Sequence, residues 1–223
     1  SKMQGTQGRQ YFLSGTVSKY KYELNLTATT SPLLHGGGLL DYKDAGITYY
    51  YTRPRLDIEG HITLPSSKIL KVKGLGWLDK QWGDFQPVAV EWDWASIQLN
   101  DGTDLMVSLL YDREGVPVEN YATLRRKGEN PIFLTSEQFV FESGPEEWQS
   151  PETGTSYRTN WYLDIPSERL KLTLVSLNRE SEFVGNLLPV TYWESGVRIL
   201  DRINGELMGQ GFIELNWTQG RNR

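Results

Sequence analysis

Between Val90 and Asp112 the sequence spells out two strands and the turn that joins them, and no other feature limits the fold as much. "VEWDWASIQL" (90–99) alternates bulky and small or polar side chains, then passes through Asn100, Asp101 and Gly102 into "TDLMVSLLYD" (103–112). Asp-Gly readily supplies the positive φ angles of a tight turn, so the two runs are predicted to pair antiparallel. The rest of the chain is punctuated in the same way. "YKYELNL" (20–26) alternates, and "GITYYYTRPRLDIEGHITL" (46–64) reads as two strands broken at Pro54. Further strands are predicted at 120–125, 138–142, 159–165 and 170–176, and "VRILDR" (197–202) meets "GELMGQGFIELNW" (205–217) across Asn204 and Gly205. The best helical stretch is "NRESEF" (178–183). So many antiparallel strands must close or stack to protect their edges, which predicts an all-β barrel or sandwich. Eight Trp and twelve Tyr suit such half-buried pleated surfaces.

Composition removes several classes of function. The net charge of −5 is spread over interspersed acids and bases, so nucleic-acid binding has no electrostatic footprint. "LRRKG" (124–128) is the only basic cluster and reads as a solvated hairpin end. No run approaches the roughly 18 apolar residues of a membrane span. There is no cysteine, and the two histidines, His35 and His61, stand in unrelated contexts without metal-ligand spacing, so no metal is expected. Both histidines read as structural or surface residues. The glycine run of "LLHGGGLLD" (33–41) does not lead into a Lys-Ser/Thr helix, so it is no phosphate loop. No cofactor is implied.

The aromatic residues say more. On β-strand periodicity Trp92, Trp94, Ser96 and Gln98 share one face, and Glu91, Asp93, Ala95, Ile97 and Leu99 share the other. Two Trp followed by Ser and Gln resemble the wall of a cavity for an amphipathic or unsaturated ligand; a core with one polar end is the equal alternative. Tyr50 points away from Tyr49 and Tyr51, and Tyr192 and Glu194 point away from Trp193. Phe212, Glu214 and Asn216 share a face, and a carboxylate turned into a barrel could act as an acid near neutral pH.

"GWLDKQWGDF" (76–85), followed by "WDWASIQLNDGTDLMV", resembles the signature of the carotenoid 1,2-hydratase/AttH-like family of double lipocalin-like β-barrel proteins. "SPLLHGGG" with "ITYYYTRPRLDIEG", then "SPETGTSYRTNWYLDIP", "TYWESGVRIL" and "GQGFIELNW", resemble further family segments in the same order. The resemblance implies antiparallel lipocalin-like barrels in tandem. Residues 1–70 would be the C-terminal part of a first barrel and 71–223 the signature and second barrel. About 70 residues before the signature are short for a closed barrel, so the first is expected to be incomplete, with a separate N-terminal segment or chain completing it. The family includes carotenoid hydratases, relatives linked to polyketide cyclisation, and many periplasmic or secreted proteins without assigned activity.

Two functions follow from the resemblance: an enzyme that hydrates, cyclises or isomerises a hydrophobic polyene, isoprenoid or polyketide-like molecule, or a non-catalytic carrier of one. A purely structural module is the third reading. Hydration of an alkene needs an acid and a shielded cation, which Asp79 with Trp77, Trp82, Trp92 and Trp94 could supply. Cyclisation needs an apolar pocket and one donor to a carbonyl, a role for Lys80 or Gln81. Lys80 stands where the hydrating enzymes often carry histidine, and it is a poor donor to an alkene. Asp79 and Lys80 are therefore the candidate catalytic residues; Trp77, Gln81, Trp82, Trp92, Trp94, Tyr50, Trp193 and Glu194 are the candidate ligand contacts. The glycines of the signature also fit a tight turn or bulge plugged by the tryptophans. A barrel interior packed with Trp side chains would tell against both ligand-based readings.

Overall fold

A computed structural model describes residues 1–5, 9–86, 90–185 and 191–217. The described chain is all-β and antiparallel, with two 3-10 turns, at Lys43–Ala45 and Pro166–Glu168, as its only helical elements. It divides into two compact units: Ser1–Leu34 with Tyr51–Lys80, and His35–Tyr50 with Gln81–Arg223. A single break at residue 70 does not describe this division. Residues 65–75 instead lie within the first unit, where a turn bonded from Leu64 N to Lys68 O starts the return strand.

One sheet is ordered β1 (Lys2–Gly5), β2 (Gln10–Val17), β3 (Tyr20–Ala28), β5 (Ile47–Thr63) and β4 (Leu33–Asp41), with β6 (Ile69–Gly83) paired to β5. In the first unit, Leu26, Ala28 and Leu56 are buried, and Tyr11, Leu13, Leu24, Ile58 and Leu78 pack against them. β5 is one strand through Pro54, not two. The β3 ladder runs only as far as the pair Ala28 and Leu56, so the missing N–H of Pro54 falls beyond it. Residues 76–83 of the signature are also extended and lie in β6, so this part of it is not a turn.

The second unit holds a ten-stranded sheet. Its order is β10 (Ile132–Thr135), β9 (Pro117–Arg125), β8 (Asp104–Tyr111), β7 (Glu91–Leu99), β18 (Leu207–Asn216), β17 (Thr191–Asp201), β15 (Leu170–Ser176), β14 (Asn160–Ile165) and β11 (Val140–Ser143). β16 (Glu182–Val184) pairs with β17, and β12 (Glu147–Gln149) with β13 (Ser156–Arg158). The sheet is curled like that of a lipocalin, because Leu134 and Phe141, from strands at opposite ends of this order, belong to one buried cluster. Ala95, Ile97, Leu99, Trp161, Trp193, Trp217 and Tyr157 are in that cluster, with Tyr157 stacked on both Trp193 and Trp217.

The predicted hairpin is present, closed by Leu99 N to Thr103 O and Gly102 N to Leu99 O. Two local expectations fail. Arg125 of the basic cluster is buried, paired with Asp104 at 3.1 Å. "NRESEF" is not helical, since Asn178 bonds the backbone of Glu180 in both directions, and local side-chain bonds of this kind compete with a helix.

Candidate functional site

The face of β7 that carries Trp92, Trp94, Ser96 and Gln98 is not the inside of the curl, where Ala95, Ile97 and Leu99 lie. It is the opposite face, so these residues do not wall a barrel interior. They belong instead to a polar and aromatic layer. Trp94 of β7, Ser108 of β8 and Tyr121 of β9 stand directly opposite one another across the three strands. Two residues along the same strands, Ser96, Met106 and Thr123 form the next row.

The segment His35–Tyr50, part of this second unit, contributes the remaining groups. Gly36, Gly37 and Gly38 follow His35 with φ of 56°, 75° and 98°, a left-handed run that only glycine adopts without strain. This turns the chain so that His35, Tyr42 and Tyr50 are all buried. The Nδ1 of His35 lies 3.0 Å from the Thr123 hydroxyl, and its ring lies 4.5 Å from that of Tyr50. Trp94 donates from Nε1 to the Tyr50 hydroxyl at 3.1 Å. The Tyr42 and Tyr121 hydroxyls are 3.0 Å apart, and Gln81 donates from Nε2 to Tyr42 at 3.3 Å.

Burial controls the charges here. It pushes His35 down to about 3, so the imidazole is neutral at ordinary pH. Burial also pushes Tyr42 up to about 12, helped by the field of Glu119 and opposed by the hydrogen bonds from Tyr121 and Gln81. Tyr121 is raised as well, mainly by burial. The result is a layer of uncharged donors and rings. It can orient a ligand oxygen and shield apolar carbon; it cannot supply a strong acid.

The other sequence-based candidates are dispersed. Asp79, in the first unit, accepts from Trp77 Nε1 at 2.9 Å and from the buried Thr52 hydroxyl. Lys80 is exposed and, as its neighbour in a strand, points to the other face, so the two do not act as a pair. Trp82 is half exposed and stacks on Tyr49 at 5.6 Å. Trp92 donates to Glu214 at 2.8 Å. Glu194 stands opposite Glu214 across β17 and β18, whereas Trp193 is a core residue that donates to the Arg179 carbonyl. Tyr50, Trp94 and Gln81 join the layer described above, with Trp92 on the same face of β7.

Sequence reasoning missed Tyr42, Ser108, Tyr121 and Thr123 and took His35 for a structural or surface residue. One signal was available. In "NYATLR", Tyr121, Thr123 and Arg125 alternate with the apolar Ala122 and Leu124, which marks a second, polar face that also has to be covered.

An all-β chain whose antiparallel sheet curls around one buried cluster has a lipocalin-like fold. The profile of the AttH-like family matches residues 1–218, and the chain is a member of that family. It superimposes on an AttH candidate from Nitrosomonas europaea with TM-score 0.85 and 24% identity, over 96% of this chain and 67% of the other. Kievitone hydratase from Nectria haematococca follows at 0.77 and 19%, over 95% and 65%. CghA bound to Sch210972 gives 0.59 and 10%, over 96% and 66%. The chain thus spans about two thirds of the length of these proteins, with which it shares a fold. No curated protein matches it. Among the described residues no helix is long and apolar enough to cross a membrane, and no three His, Cys, Asp or Glu side chains group as metal ligands.

Proposed function

We propose that the chain binds an uncharged, hydrophobic small molecule of polyene, isoprenoid or polyketide type and converts it by cyclisation, isomerisation or hydration. The packed interior of the second sheet tells against a ligand inside the curl, so the reading places it on the outer face, against Trp92, Trp94, Tyr50 and Gln81. The observation that carries it is the Trp94–Tyr50 hydrogen bond backed by the uncharged His35, Tyr42 and Tyr121. Rings and neutral donors favour apolar carbon with a few polar atoms, which is how small-molecule sites are usually lined. A fold shared with a protein named as a hydratase, and with CghA bound to a small molecule, supports the reading.

A carrier is the second reading, and one observation favours it. The carboxylates that could act as acids are engaged as acceptors, Asp79 by Trp77 and Thr52 and Glu214 by Trp92. The same observation weighs cyclisation above acid-driven hydration within the enzymatic reading. Asp79 remains the proposed acid if hydration occurs, with Lys80 and Trp77 beside it in sequence. The test is mass spectrometry of gently purified protein and of its organic extract. A copurified hydrophobe that is lost in Trp94→Ala supports the reading. An empty extract, together with tryptophan fluorescence indifferent to added polyenes, sinks it.

A further inference from the structure

Arg53, on β5 of the first unit, is a cation without an anion. It is half-buried, and among the described residues its guanidinium has no carboxylate partner and no hydrogen-bond acceptor. What it meets is the ring of Tyr11, with Cζ 5.8 Å from the centroid. A ring face attracts a cation but gives its N–H groups no oxygen. The Nε is buried and bonds to nothing; the Nη nitrogens are also unbonded but not buried, so an incoming oxygen reaches them from solvent. Thr30 Oγ1 is a second buried polar atom without a partner. It marks the same end of the sheet, because its neighbour Thr29 donates to the Arg55 carbonyl at 3.0 Å.

Tyr11 begins an apolar stripe. Across β2, β3 and β5, Tyr11, Leu26 and Ile58 form one row, Leu13, Leu24 and Gly60 the next, and Gly15, Tyr22 and Ile62 a third. None of these side chains is charged, and all but Leu26 are half-buried, so the stripe is open to solvent along its length. Strict alternation from Ile58 would send Arg53 to the other face. Its contact with Tyr11 puts the guanidinium on this one, past Pro54, where the β3 ladder has ended.

We propose that the first unit binds an apolar monocarboxylic acid on this face, with the carboxylate on Arg53 and the carbon chain along Tyr11, Leu13 and Gly15. One unpaired guanidinium matches one negative charge, and its planar fork matches a carboxylate. The half-buried setting strengthens the attraction relative to a fully solvated pair. The stripe from Tyr11 to Gly15 runs four residues of strand, about 14 Å, which suits an acyl chain of medium length. The site shares no residue with the aromatic layer of the second unit, so it stands or falls apart from the function proposed above.

The test is calorimetry on the full chain with decanoate and with 1-decanol, which has the same carbon chain and no charge. Decanoate is expected to bind about tenfold tighter than decanol, and added salt should weaken decanoate alone. Arg53→Gln should bring decanoate down to the affinity of decanol, while decanol binding, which reports a folded stripe, stays within about twofold. Leu24→Asp should weaken both. Trp94→Ala, which removes a ring of the second unit, should leave decanoate binding unchanged. The wild-type comparison needs no variant: decanoate that binds no tighter than decanol, or not at all, overturns the inference. So does a preference for decanoate that survives Arg53→Gln, or one that disappears in Trp94→Ala.

Discussion

Lowering the pH from 7.5 to 5 is expected to weaken the folded chain by about 2 kcal/mol through His35. In the unfolded chain this imidazole takes up its proton near the ordinary value of 6.5, whereas in the folded chain burial delays uptake to about 3. Between those values the unfolded state binds more protons, so the stabilisation is fully present above 6.5 and is lost as the pH falls. The loss grows to roughly 4–5 kcal/mol once the pH is below both values. The cause is structural: the ring is fully buried, lies against Tyr50, and meets the Thr123 hydroxyl through Nδ1. Urea midpoints for wild type and His35→Asn, compared between pH 5 and 7.5, isolate the effect, because ordinary carboxylates titrate mostly below that window. With a slope of about 2 kcal/mol per molar urea, the wild type should lose about 1 M of midpoint that the variant keeps. Parallel losses in the two proteins would refute the reasoning, since His35 would then take its proton without unfolding.

Asp104→Asn leaves the Arg125 charge buried beside a neutral amide and is expected to cost about 3–5 kcal/mol, read by the same midpoints. A loss under about 1 kcal/mol would show that the pair is solvated. Gly211→Ala drives a Cβ to 2.1 Å from the Ser96 carbonyl oxygen, so soluble yield should collapse. Gly154→Ala, where nothing lies within 4 Å, should cost only the strain of its positive φ.

The strands were legible where burial alternates at every second residue, as in Trp161, Leu163 and Ile165 against Asn160, Tyr162 and Asp164. Turns were legible where they rest on local chemistry, as at Asp101 and Gly102. What covers the outer face was not legible, because period-2 reading assigns a residue to a face without saying what the face meets. Trp92 and Trp94 were grouped on one face, but the alternation did not say that this face lies outside the curl, opposite Ala95, Ile97 and Leu99. The partners of Tyr121 and Thr123 lie 79 and 88 residues away in sequence, and no local pattern reports a contact of that range. Arg125 shows the same limit: its burial depends on Asp104 across a strand pair, and a cluster of basic letters reads as solvated until that partner is seen.

The second unit is not contiguous in the chain, and this bears on its synthesis. A fragment that starts at Gln81 would lack His35, Tyr42 and Tyr50, leaving Tyr121 and Thr123 uncovered however well the ten-stranded sheet formed. During translation those three side chains emerge first and wait until β9 has followed them out of the ribosome. Contacts of such long sequence separation form slowly. The aromatic layer is therefore expected to assemble late, and nascent chains stalled before Tyr121 would carry half of it with nothing to bind.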